Sequence, residues 1–215
     1  MPAYYMLFDA QRFEELRAPL AASWRLRSFA PSRVLYPALA EELRVFNERY
    51  HVDPEESVLK RVHDGLPFDR NVWRLLVGEV LLYGASTIPE IQTAPEVLCC
   101  LLAPDRYAEE SVPRERFAPI QQAHFGSRDL RFGSAIYRPD SAGFNDVSDA
   151  RRLSVYLSSL QPNAWMAADL ANLRGVDNDE DRQDELDFAR EWLPAFQQLY
   201  QQASSQNQII VYELL

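Results

Sequence analysis

The chain opens on an apolar run, Ala3–Phe8, dense in tyrosine and phenylalanine. It is too short for a helix, and its residue types predict a strand buried on both faces. Asp9 caps a helix to about Trp24 with Phe13, Leu16 and Leu20 on one face; Pro19 is expected to kink or split it. Ser28–Pro37 reads as a loop, and Pro37 as the start of a helix to about Tyr50. Asp53, Pro54, Glu55 and Glu56 make a further helix start, with Gly65 as its stop. Asp69 caps a helix to about Tyr83 that is apolar nearly all round, so it belongs at the centre of the core. Prolines break residues 85–119 into short helical pieces, the best being Pro95–Leu102. Leu130–Tyr137 is a weak strand interrupted by Gly133.

Further helices are expected over Val147–Leu160 and Asn163–Arg174. A long one follows the acidic run Asp177–Asp187, with Leu186, Leu193, Phe196 and Tyr200 inward and Pro194 bending it. After a turn at Ser204–Gln208, Ile209–Leu215 reads as an interior strand. Buried strands need hydrogen-bond partners. The economical arrangement is therefore one helix-dominated α+β domain over residues 1–215. Its small mixed sheet would include both terminal strands and the weak central one.

Composition narrows the function. The 215 residues carry 32 acids against 22 bases, a net charge of −10. Such a surface repels phosphate backbones and anionic lipid, so neither nucleic acid nor membrane is an expected partner. The longest apolar run, Val97–Ala103, is far below the roughly 20 residues that span a bilayer. Cys99 and Cys100 are adjacent, cannot close a long loop, and read as small buried residues. Scarce cysteine and no leader of Arg/Lys followed by an apolar stretch at Met1–Phe8 point to the cytoplasm.

The opening AYYMLFDAQRFEELR, the VWRLLVGEVLLYGA helix, the segment IYRPDSAGFNDVSDARRLSVYLSSL and the closing DELDFAREWLPAFQQLYQQASSQNQIIVYEL stand in an order that resembles the YfbM-like family. These are small bacterial proteins built on a domain of unknown function. The likeness is best over the first 17 and about the last 40 residues. It implies a cytoplasmic bacterial α+β domain and carries no catalytic residue across.

Charge is uneven along the chain. Residues 113–138 hold five bases, Arg114, Arg116, Arg128, Arg131 and Arg138, against two acids, with His124 among them. Two Phe-Gly-Ser copies, Phe125–Ser127 and Phe132–Ser134, lie in the same window. Arginine forks and loop N–H groups suit an anion, so Arg128, Arg131 and Arg138 are candidate ligands for a small anionic metabolite. The blander alternative is that they pair with the acidic surface.

Glu79, inside the most apolar helix, is a candidate general acid or base with a raised pKa unless something pairs with it. His124 is the other weak catalytic candidate. His51 and His63 are too far apart along their segment for one ion, and Asp177–Asp181 lacks the glycine of a calcium loop, so no metal or cofactor is implied. No nucleophile motif is present.

The leading expectation is a soluble, non-catalytic cytoplasmic protein that binds another protein, with aromatics (12%) to supply a recognition face. The alternative is an enzyme or sensor for a small anionic metabolite that uses the arginine-rich segment. Self-association is compatible with either.

Overall fold

A computed structural model describes residues 3–51, 53–109 and 111–214. β1 (Ala3–Asp9) leads into α1 (Ala10–Leu26), capped by the Asp9 carboxylate. α1 runs unbroken across Pro19, held by its buried Phe13, Leu16 and Leu20 and by a bond from Trp73 Nε1 to the Leu20 carbonyl. The 28–37 segment is not an open loop. It forms a 3-10 turn at Ala30–Val34 and then α2 (Leu35–Ala38), with α3 (Ala40–Tyr50) following a break at Leu39.

Asp53–Glu56 also differs from expectation. It makes only a 3-10 turn, Pro54–Glu56, and Ser57 caps the helix proper, α4 (Val58–His63). α5 (Arg70–Gly84) follows, capped by Asp69. Next come α6 (Pro95–Leu102), α7 (Pro104–Tyr107) and α8 (Pro119–Phe125).

The middle of the chain holds β2 (Arg128–Asp129), β3 (Arg131–Phe132), β4 (Ala135–Ile136) and β5 (Ala142–Asn145). Leu130–Tyr137 is thus no strand of the main sheet. Gly133, at a φ of +63°, turns it into the small β3–β4 hairpin. α9 (Val147–Ser158) and α10 (Asp179–Gln206) precede β6 (Gln208–Leu214).

The expected helix at 163–174 is replaced by two 3-10 turns, Pro162–Ala164 and Ala167–Leu170. Arg190 of α10 takes the carbonyls of Pro162 and Trp165, and Tyr107 Oη takes the N–H of Arg174. Those tertiary bonds claim backbone groups that a continuous helix would use for itself.

β1 and β6 pair over their full lengths, from Ala3 opposite Leu214 to Asp9 opposite Gln208. The sheet order is β1-β6-β5-β2, and every pairing in it is antiparallel. Alternation along the strands divides the core. Tyr5, Leu7, Ile210 and Tyr212 face one layer of helices, α6, α8, α9 and α10. Met6, Phe8, Ile209 and Val211 face the other, built from α1 to α5 and the β3–β4 hairpin. Because successive strand side chains point to opposite faces, both terminal strands are apolar throughout.

Candidate ligand-binding groove

On the α1–α5 side of the sheet, a groove of about 1170 Å³ opens between α3, α5, the 85–90 segment and the start of β1. Its lining is mainly apolar and includes Met6, Val45, Phe46, Leu75, Leu82 and Tyr83. Phe46 and Tyr83 meet edge to face, with centroids 5.3 Å apart. Leu75 is 53% exposed and Val45 50%, although both belong to well-formed helices. Apolar side chains so placed keep about half of their exposure to water after folding.

One end of the groove is polar. Glu213 stands on β6 opposite Tyr4, on the same face as Ile209 and Val211. It is only 4% exposed. The Tyr137 hydroxyl donates to Glu213 Oε1 at 2.5 Å, and Arg138 Nη1 approaches the same oxygen at 3.0 Å. Both contacts fall on Oε1, and Glu213 is among the residues that line the groove. Burial pushes the Glu213 carboxyl above the usual range, with the Tyr137 and Arg138 contacts opposing that shift. Burial raises the Tyr137 hydroxyl in turn, with the neighbouring carboxylate adding to it.

Two backbone features build this end. Arg138 sits at a φ of 41°, in the left-handed region that a side chain rarely adopts. Its carbonyl is fixed there by the N–H groups of Ser141 and Ala142. Gly78 of α5 leaves room for the phenol: a Cβ there would lie 3.1 Å from Tyr137 Oη. One turn earlier on α5, Arg74 lines the groove, and its charge also acts on the Tyr137 hydroxyl.

Glu79 is in the groove wall but is committed elsewhere. Its carboxylate accepts from the N–H groups of Val58 and Leu59 at 2.8 Å and from Ser57 Oγ at 2.9 Å. It therefore caps α4 from a different helix, where anionic charge is favoured.

His124 lies across the sheet from the groove and is fully buried. Its ring stacks on Phe196 with centroids 4.5 Å apart, and Nδ1 is 3.1 Å from Tyr5 Oη. Nε2 has no partner among the described residues, and burial depresses the imidazole pKa to about 3. A neutral, sealed imidazole cannot exchange protons with a substrate in the groove.

The arginines of the 113–138 window do not converge. Arg128 bridges Asp146 and Asp149, each at 2.8 Å, and Arg131 pairs with Asp129 at 2.8 Å. Of the three candidates only Arg138 lines the groove. Arg114 is structural: it gathers the carbonyls of Phe125, Gly126, Pro139 and Ala142 together with the Asp129 carboxylate. In the first Phe-Gly-Ser copy, Ser127 gives both its N–H and its hydroxyl to Asn145 Oδ1, so no N–H is left there for an anion.

Sequence reasoning overlooked Tyr137, Arg74 and Glu213. A signal existed for the last. Glu213 is the only charge in a strand otherwise apolar enough to be interior, and it shares a face with Ile209 and Val211. A second cavity, of about 330 Å³, is lined by Cys99, Arg106, Phe117, Gln121 and Arg174. Burial pushes the Cys99 thiol up to about 12, so it is a thiol rather than a thiolate at neutral pH.

Among the described residues no three His, Cys, Asp or Glu gather as metal ligands, and no helix is long and apolar enough to cross a membrane. Compared with models of protein families, with curated proteins and with solved structures, the chain matches none.

Proposed function

We propose that this protein works by binding, with the α3–α5 groove receiving an extended segment of a partner protein. The observation that carries the reading is the set of half-exposed apolar side chains, Val45 and Leu75, along a groove of about 1170 Å³. That volume exceeds the usual 300–1,000 Å³ of a small-molecule site. A non-catalytic role is supported by where the candidate reactive groups sit. Glu79 caps a helix, and His124 is sealed in the core as the neutral imidazole.

Kinship with the YfbM-like family and a cytoplasmic location belong to the same proposal. Two free, buried cysteines on one helix support the reducing compartment. The alternative, a sensor or enzyme for a small anionic metabolite, keeps one supporting observation, the presence of Arg138 in the groove.

A peptide-display selection tests the proposal. Peptides selected on the wild-type protein should carry apolar residues and should bind Leu75→Glu and Val45→Glu at least tenfold more weakly. Selection of no apolar sequence, or equal binding to both variants, overturns it. A thermal shift with small anionic metabolites that is lost in Arg138→Ala would favour the alternative.

A further inference from the structure

We propose that the end of α1 carries a second docking face, a basic and apolar patch that takes an acidic segment of a partner protein. It stands apart from the groove reading, since none of the residues that build it lines the groove.

The sequence sets this stretch apart. Between Glu15 and Glu41 lie 25 residues with four arginines and no acid, in a chain whose net charge is −10. Arg17, the first of the four, is paired with Glu14 at 2.7 Å. Arg25, Arg27 and Arg33 are exposed and make no ion pair among the described residues. In the 113–138 window, by contrast, Arg128 and Arg131 are neutralised by neighbouring aspartates.

The fold adds a fourth free arginine. The segment between α4 and α5 packs on the end of α1 through Phe68, whose ring meets those of Trp24 and Phe29. That packing brings the Arg70 guanidinium to 5.7 Å from the centre of the Trp24 ring. Arg27 stands over the same ring at 4.2 Å, so two guanidiniums share one indole. Arg70 is exposed and has no ion pair among the described residues. The acids of that segment are committed elsewhere. Asp64 holds Lys60 at 2.7 Å, and Asp69 accepts from the N–H groups of Asn71 and Val72. Arg33 is kept nearby, because the hydroxyl of Ser32 bonds that of Ser23 at 2.7 Å, one residue before Trp24. Arg27 itself ends α1 at a φ of 51°, where glycine or asparagine is the usual residue. A side chain is disfavoured there, and this one sets its charge over Trp24.

Carboxylates suit guanidinium forks. Leu26 and Val34, each 59% exposed, are interspersed with the arginines, so the occupant brings apolar side chains as well. A nucleic acid fits less well. Arg27 at 4.2 Å and Trp73 at 4.8 Å already crowd the Trp24 ring, which leaves a base little to stack on. The acidic remainder of the surface repels an acidic segment and so steers it to this patch.

A labelled decapeptide of alternating glutamate and leucine tests this by fluorescence anisotropy at low and high salt. Its glutamine-for-glutamate counterpart and a labelled oligothymidine are the comparisons. The glutamate peptide should bind at least tenfold more tightly than the glutamine peptide, with the advantage shrinking in high salt. Arg27→Gln combined with Arg70→Gln should abolish that advantage. Arg27→Gly, which suits the left-handed backbone, should weaken binding at least threefold with the fold intact. Arg131→Gln and Leu75→Glu should change nothing.

Equal binding of the two peptides, no binding of the glutamate peptide, or tighter binding of the oligothymidine overturns the proposal. Binding kept in the double arginine variant and lost in Leu75→Glu overturns it too, and leaves the groove reading standing.

Discussion

Acidification from pH 7 to pH 5 should cost the fold about 2 kcal/mol through His124 alone. The imidazole is fully buried among Tyr5, Phe196 and Phe125, and its pKa falls to about 3. In the unfolded chain it returns to about 6.5. Between those values the unfolded state holds one more proton than the folded state. Stability is therefore complete above pH 6.5 and declines as pH falls toward 3, at about 1.4 kcal/mol per pH unit once well below 6.5. Integrated from pH 7 to pH 5 this gives about 2 kcal/mol.

Carboxylates contribute a background of their own. Glu213, raised by burial, has the opposite sign, since its folded form keeps a proton longer than its unfolded form. The comparison is therefore with variants. Urea unfolding followed by tryptophan fluorescence at pH 7, 6 and 5 should show the extra loss in the wild type and not in His124→Asn or His124→Phe. The difference counts whatever the variants' stability at pH 7. An equal loss in all three proteins would refute the buried, neutral imidazole.

Three further outcomes follow from named contacts. Glu79→Ala removes a three-bond cap from α4 and should lower unfolding free energy by about 2 kcal/mol, read as a lower urea midpoint at unchanged slope. Gly143→Ala forces a Cβ into the Phe125 carbonyl and the Arg114 guanidinium, and should cost about 1–3 kcal/mol by the same assay. Cys99 and Cys100 are both buried, with burial raising both thiols. They should react with a disulfide reagent at pH 7 only when urea unfolds the chain, and prompt reaction of the folded protein would place that helix on the surface.

The architecture was legible where one local signal decides it. The apolar terminal runs form the paired strands β1 and β6, and Asp69 and Gly84 bracket α5 as a cap and a final residue should. Pro95–Leu102 is a helix at those residues. Legibility failed where distant groups decide. The 163–174 stretch has helix-compatible residues, yet Arg190, some 25 residues on, claims its carbonyls. Ser57 prevails over Asp53 as the cap of α4 because Glu79 arrives from another helix to complete it. The same holds for the groove. Arg138 is visible as an arginine in a basic window, but its partner Glu213 is 75 positions away, across the sheet. Tyr137 looks like one more core aromatic until its hydroxyl is seen on that carboxylate.

The most direct measurement is backbone amide mapping by nuclear magnetic resonance during titration with a tight-binding peptide from the display selection. Occupation of the groove should move the amides of Val45, Leu75, Gly78 and Arg138 together, with one common dissociation constant, and leave α9 and α10 unmoved. Shifts that gather around Arg128 and Arg131, or that spread evenly over the surface with no saturation, would contradict a docking groove between α3 and α5.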